Sequence, residues 1–557
     1  MAISSVLETS TMHSANGMQK EVLESSAKMV DAQMQYDNSY PEMIESLKMN
    51  GATLPTVSGL NDQDYPGVSE LSISLHSLAQ LNLLKRIPLP SELVEQFGLM
   101  QSNCQMGLFP EVGRAWLTID SNIFLWSFHD GSDLAYYDGL KETILCVGLV
   151  KPKPDIFQSF IHYLLCLTTP VEIIVLGVNF TRQNENSSQF EEMHLLPEPL
   201  FSYPTDDIHM CAFHGTESGR IFLGGKDGAI YEFAYQAQDG WFSRKCRKIN
   251  HSSSTLSFLV PSFLSLAFTE DDAVLQIAID NSRHILYARF EKGSIQVFDL
   301  GKDGKQMSKV CTLHQHAMVQ QASASACTID KKNFYPVVHI SAIEANESKH
   351  VHLIAVTQSG VRLYFTTNGS FGDSRPYILS LLHVRLPPGF TANAAVARPS
   401  NVHMAYYKRG FLLLASSQTE DNDVIFATSN DSFAFYSQII ETHTTVMLDG
   451  HAWAIAEVPA DSHVKQTVPS NDSGTSCDPP VLVTQHRDPP RKFVFLSAQG
   501  SFLFRKPRPV DQLYKLLLDN KGPDAEAVKA FFMIHKEAQA CAMCLILACS
   551  QNLQESK

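Results

Sequence analysis

From about residue 110 the chain repeats one pattern: a short apolar run, a tight polar or glycine turn, and a second apolar run. Period-two apolar segments joined by such turns predict β-hairpins. There are seven: RAWLTIDSNIFLWSF (114–128), HYLLCLTTPVEIIVLGV (162–178), RIFLGGKDGAIYEFA (220–234), RHILYARFEKGSIQVFD (283–299), VHLIAVTQSGVRLYF (351–365), FLLLASSQTEDNDVIFA (411–427) and RKFVFLSAQGSFLFR (491–505). The spacing leaves room for two further strands per unit. Candidates are TILCVGLV (143–150), AVLQIAID (273–280) and VVHISAI (337–343). Serial four-stranded units with little helix between them predict a mainly β chain, a seven-bladed β-propeller whose closure protects the sheet faces. A single β-sandwich would not hold seven such hairpins. No WD or kelch signature marks the repeat.

The flanks have a different rhythm. Gln19 to Tyr36 predicts a helix with Val22, Leu23, Ala27, Val30 and Met34 on one side, stopped by Tyr40-Pro41. Residues 49–68, rich in Gly, Pro, Asn and Asp, read as an extended arm. After Pro507 and Pro509 the period becomes helical: Val510 to Asp519, Asp524 to His535 and Glu537 to Cys549. The expected division is a helix and arm over 1–75, the propeller over 76–507 and a helical segment over 508–557. Polar insertions are expected at 183–197, 367–376 and 460–480.

One insertion is unlike the others. From Ser252 to Thr269 there is no charged residue. As a helix, Leu256, Leu259, Val260, Phe263 and Leu264 share a face, with Phe258 beside it and serines opposite. Lys245, Arg247 and Lys248 lie just upstream. An apolar face on a weakly polar helix near cations suits a membrane surface. Pro261 opposes one straight helix, and a buried strand or core loop explains the same residues. Both readings stand at this level.

Composition narrows the function classes. The 557 residues carry a formal charge of −15, which argues against a general nucleic-acid partner. No run approaches the ~20 apolar residues of a membrane-spanning helix, and no secretory signal is read at the N-terminus. The 11 cysteines are scattered, as in a reducing compartment. Neither a phosphate-binding loop nor a GxSxG elbow is present. GGKDG (224–228) sits in a hairpin turn. Cys541 and Cys544 lack a second pair for zinc. Cys311 with His314 and His316, and Asp130 with Asp133 and Asp138, read as loop residues rather than ligand sets. No enzyme, cofactor, metal or small-molecule substrate is expected.

Several collinear stretches resemble the nucleoporin-155 family: DQDYPG (62–67), RIPLPSELVEQFGLMQSNCQMGLFPEVGRAWLTIDSNIFLW (86–126), GWFSRKCRKINHSSSTLSFLVPSF (240–263), LQIAIDNSRHILYAR (275–289), FVFLSAQGS (493–501) and RPVDQL (508–513). The resemblance covers nearly the whole chain. It implies a scaffold component of the nuclear pore inner ring at the nuclear envelope, with a propeller followed by an α-solenoid that 508–557 would begin. It further implies other inner-ring and linker nucleoporins as partners, and membrane contact through an amphipathic loop at the place of 251–268. On that reading Leu256, Phe258, Leu259, Val260, Phe263 and Leu264 meet curved lipid, and Lys245, Arg247 and Lys248 meet its headgroups. The alternative is a generic propeller adaptor whose apolar loop docks a protein helix.

Overall fold

Each of the seven hairpins forms the two central strands of a sheet. In blade I they are Arg114–Ile119 and Asn122–Ser127, and in blade VII Lys492–Ser497 and Gly500–Arg505. Central strands are buried on both faces, which is why their sequences are continuous apolar runs rather than strict alternations. Tyr163–Thr168 and Phe411–Ser416 are buried at every position. The computed structural model describes residues 2–49, 54–61, 64–65, 81–97, 100–181, 192–236, 245–252, 272–368, 375–390, 397–431, 438–460, 477–520 and 522–550, with side chains from residue 20 onward.

The seven sheets close into a ring. First strands of successive blades touch one another from II through VII and on to I. The three predicted extra strands are the first strands of blades II, IV and V: Cys146–Val150, Val274–Asp280 and Val337–Ala342. Seven apolar clusters each join two neighbouring blades. For example, Leu125 and Ile123 of blade I pack with Leu165 and Leu176 of blade II, and Phe222 of blade III packs with Leu286 of blade IV. Closure is made by a strand from the other end of the chain. Asn82–Ile87 pairs antiparallel with Gly500–Arg505 and completes blade VII. Gly500 has φ +127°, and a Cβ there would stand 2.1 Å from the Ile87 carbonyl oxygen, so only glycine admits this approach.

The arm adds a second long-range pairing. Thr56–Ser58 lies parallel to His383–Arg385 as a fifth strand on blade V. Beneath it is a fully buried ion cluster. Glu441 accepts from Arg362 Nη1 at 2.7 Å and from Arg385 Nε at 2.8 Å. Arg385 also donates to Ser58 Oγ (2.9 Å) and the Asp64 carbonyl (3.3 Å), and lies over the Tyr65 ring. The ring nitrogens of His383 sit 2.7 Å from Thr56 Oγ1 and 2.7 Å from Ser58 Oγ. Gly59, at φ +79°, would place a Cβ 2.3 Å from the Leu386 carbonyl oxygen. Short-range patterning foresaw an arm here but neither the strand nor its seat.

Other elements also depart from expectation. The N-terminal helix runs from Ala2 to Asp37, beginning well before Gln19; no proline interrupts that stretch. The 183–197 insertion contains a strand, Glu192–Leu195, paired with Val178–Thr181. The C-terminal helices are Pro509–Asp519, Glu526–His535 and Glu537–Cys549. They share one apolar cluster with Leu482, which lies in the blade VII insertion, the connection between Ala452–Val458 and Lys492–Ser497.

Losing the charge of Glu441 would leave two guanidiniums in a dry site. Glu441→Gln is therefore expected to cost about 3–5 kcal/mol in urea unfolding. Acid should act in two stages. Burial first, then Arg385 and Arg362, push His383 well below 6.5; burial brings His352 to about 4 and His339 to about 3. A base whose folded pKa is lowered favours the folded state above its unfolded pKa, so this contribution declines as pH drops below 6.5. Burial alone would raise Glu441, but Arg362 and Arg385 outweigh it and bring it to about 2. Its contribution is complete above 4.5 and is lost between 4.5 and about 2. The urea midpoint should thus fall on acidification from pH 6.5, and fall further below 4.5.

Candidate interaction surfaces

Antiparallel order gives the ring two distinct faces. Turns between second and third strands, and connections from each fourth strand to the next blade, leave at one face. The other two kinds of connection leave at the opposite face. Residues 253–271 connect Cys246–Asn250, the fourth strand of blade III, to Val274–Asp280, the first strand of blade IV. Ser252 and Asp272, which flank them, therefore lie at the first face.

Those flanks are firmly held. The His251 amide donates to the Ile230 carbonyl at 2.9 Å, and the Ile230 amide donates to Ser252 Oγ at 2.9 Å. On the far side, Asp272 Oδ1 accepts from the Lys292 amide at 2.8 Å. Behind His251 lies a buried pair. Arg220 donates through Nε and Nη2 to the two Glu232 oxygens, each at 2.8 Å, and through Nη1 to the Gly304 and Gln306 carbonyls. His251 Nε2 lies 2.9 Å from Glu232 Oε2. Burial would raise the Glu232 carboxyl, but hydrogen bonds from Arg220 and His251 prevail and hold it at about 2. A charged, bidentate pair of this kind positions strands rather than performing chemistry.

The predicted site residues separate. Leu256, Phe258, Leu259, Val260, Phe263 and Leu264 lie outside the described residues. Lys245 and Arg247 are exposed. Lys248 corrects the expectation. Its side chain is only 7 % exposed, its ammonium is 2.6 Å from Asp206 Oδ2, and it donates to the Thr205 carbonyl over the Tyr231 ring. It ties blade III to blade II and is not available to a headgroup. The physical reason is alternation: residues 246–250 form a strand, so neighbouring cations point to opposite sides of the sheet. The strand also carries Lys245 toward the face opposite the one where Ser252 leaves.

Among the described residues, no group of three His, Cys, Asp or Glu could hold a metal. Asp133 is paired with Arg114 and accepts from the Met193 amide, and Asp130 accepts from Ser132. No single described helix is long and apolar enough to cross a membrane. The apolar pair Glu526–His535 and Glu537–Cys549 is bent by 113° and contributes Val528, Phe531 and Met543 to a buried cluster.

The opposite face holds the terminal helices. Gln539 Nε2 donates to Asp37 Oδ1 at 2.8 Å, and Lys536 lies 6.0 Å from the Tyr36 ring centroid. The arm helix Met43–Ser46, with Leu47 and Met49, packs on blades V and VI. Local patterning could not locate either contact, because both join residues hundreds of positions apart.

Known proteins match this architecture. A family model described as Nup133 N terminal like matches residues 77–502. Nuclear pore complex protein Nup154 of Drosophila melanogaster is 37 % identical over 97 % of the chain, and NUP170 of Chaetomium thermophilum is 31 % identical over 65 %. The chain spans 40 % and 25 % of the lengths of those relatives. The crystal structure of the Chaetomium thermophilum Nup170 NTD–Nup53 complex superposes with a TM-score of 0.79 at 25 % identity, covering 95 % of this chain and 74 % of that one. A closed seven-bladed ring with terminal helices, matched along 97 % of the chain by Nup154 and along 95 % by the Nup170 domain, places the chain in the Nup154/Nup170 family of nucleoporins.

Proposed function

We propose that this chain is a structural scaffold component of the nuclear pore complex inner ring, contributing to pore assembly, nuclear-envelope contact and nucleocytoplasmic transport. The observation that carries this reading is the similarity to Nup154 along 97 % of the chain. The ring suits a scaffold role. Its side chains are committed to blade packing and buried ion pairs, and its connections offer two broad faces. In this proposal residues 1–75 are an anchoring arm, 76–507 the propeller and 508–557 the start of a helical region. The Nup170 domain has been crystallised with Nup53, and a nucleoporin partner of that kind is proposed here too. Affinity purification of the tagged chain from nuclear envelopes should recover other nucleoporins; recovery of none would refute the scaffold reading.

Membrane contact through residues 251–268 is the finer part of the proposal. It is supported by the uncharged, Ser/Thr-rich run 252–269 with its apolar face, and by the anchoring of Ser252 and Asp272 at one face of the ring. Six apolar side chains at ~1.5–3 kcal/mol each are opposed by an ordering cost of about 1–2 kcal/mol per residue. Binding by one copy should therefore be weak and favour curved lipid, with several copies acting together. In flotation with small anionic liposomes, Leu259→Asp/Phe263→Asp should abolish co-migration. Undiminished flotation of that folded variant would overturn the membrane reading while leaving the scaffold reading intact. Lys248→Ala should instead lower the urea midpoint through the lost Asp206 pair.

A further inference from the structure

The N-terminal helix carries an apolar stripe that the other described residues leave exposed. Leu23, Ala27, Val30 and Met34 recur at spacings of four, three and four, so they form one seam. Leu23 is 69 % exposed, Val30 57 % and Met34 59 %. The seam does not end in open solvent. At Met34 it runs into a groove of about 340 Å³ between this helix, residues 482–486 and the last helix, whose apolar lining, from Met34, Leu482, Val483, Ala542, Leu545 and Ile546, alternates with an equal number of polar residues, Asp37 and His486 among them. Leu545 is 68 % exposed at its rim. The groove has a fixed geometry, because Gln539 bridges to Asp37 and Gln33 donates to the same carboxylate at 2.9 Å.

The charges around the seam select its occupant. Residues 20–37 hold Lys20 and Lys28 against Glu21, Glu24, Asp31 and Asp37, a net charge of −2. Glu24 and Asp31 border one side of the stripe and Asp37 the other. Lys20 lies at the outer end, 4.0 Å from Glu24. An anionic lipid surface would be repelled. A second copy would bring like-charged borders together, which opposes self-pairing.

We propose that this seam and groove dock an amphipathic helix from another protein, with an apolar stripe at the same spacing and lysine or arginine along its borders. The mode is a helix laid into an apolar groove, with charge setting the choice of partner. The surface lies on the face opposite Ser252 and Asp272, so it does not depend on membrane contact.

Two synthetic helical peptides of about five turns test this by fluorescence anisotropy with the full chain. Both carry leucines at the four-three-four spacing; one is bordered by lysines and the other by glutamates. The lysine peptide should bind at least about tenfold more tightly, and added salt should weaken it. Val30→Asp/Met34→Asp changes exposed positions and should weaken it by about tenfold or more, with an unchanged urea midpoint. Equal affinity for the two peptides, or lysine-peptide binding that this variant does not alter, would overturn the proposal. So would a wild-type dimer in sedimentation that the variant dissolves, since the occupant would then be a second copy.

Discussion

A ring of sheets has one difficult seam, the place where the first and last blades meet. Here the seam is closed by hydrogen bonds rather than by side chains alone. Asn82–Ile87, the strand just before blade I, supplies the outer strand of blade VII, whose other three strands come from 452–505. The two end blades therefore cannot separate without breaking a ladder. Packing follows from that constraint: Ile87, Leu89 and Leu93 sit in the same cluster as Leu117 of blade I and Val494 of blade VII. All seven inter-blade clusters are dry only while the seam holds, because each sheet relies on the next to cover its face.

The arm seals a second weak point, between blades V and VI. A carboxylate held by two guanidiniums is not an efficient source of net stability, since desolvation offsets much of the attraction. Its value lies in specificity. Arg385 reaches Glu441, Ser58 and the Asp64 carbonyl together, so the cluster is satisfied only with the arm in register. A one-residue slip of Thr56–Ser58 would take Ser58 from Arg385 and both hydroxyls from His383. The cluster thus acts as a key for a three-residue strand that has little apolar surface of its own.

Legibility in the sequence followed the range of the interaction. The hairpins at 114–128 and 411–427 were readable because a turn and its two apolar runs are adjacent, and burial on both faces leaves a continuous apolar signature. The helix Glu537–Cys549 was readable for a similar reason. Thr56–Ser58 was not, because a three-residue strand with partners more than 300 positions away has no local signature. Lys248 is near Ser252 in sequence but not in direction, because strand alternation turns it inward, and no local pattern distinguishes it from the exposed Arg247. Glu192–Leu195 was hidden in a polar stretch, being an edge strand with only Met193 buried. Of the expected membrane-contact set, sequence gave the chemistry of the apolar residues, and the fold fixes only where their connection starts and ends.

Blade VII also governs how the molecule bears load. Arg505 stands opposite Asn82, so the chain enters and leaves the closing ladder at the same end. A pull applied at Leu81 and Lys506, just outside that pair, would meet it at its open end and peel it one rung at a time, instead of shearing every rung at once. The contact of Gln539 with Asp37, 502 positions apart in sequence, crosses the gap just ahead of that end. Together with the packing of Leu482 among the C-terminal helices, it works as a strain relief: tension arriving along the helices is spread into the blade VII insertion and the opposite terminus before it reaches the first rung of the ring.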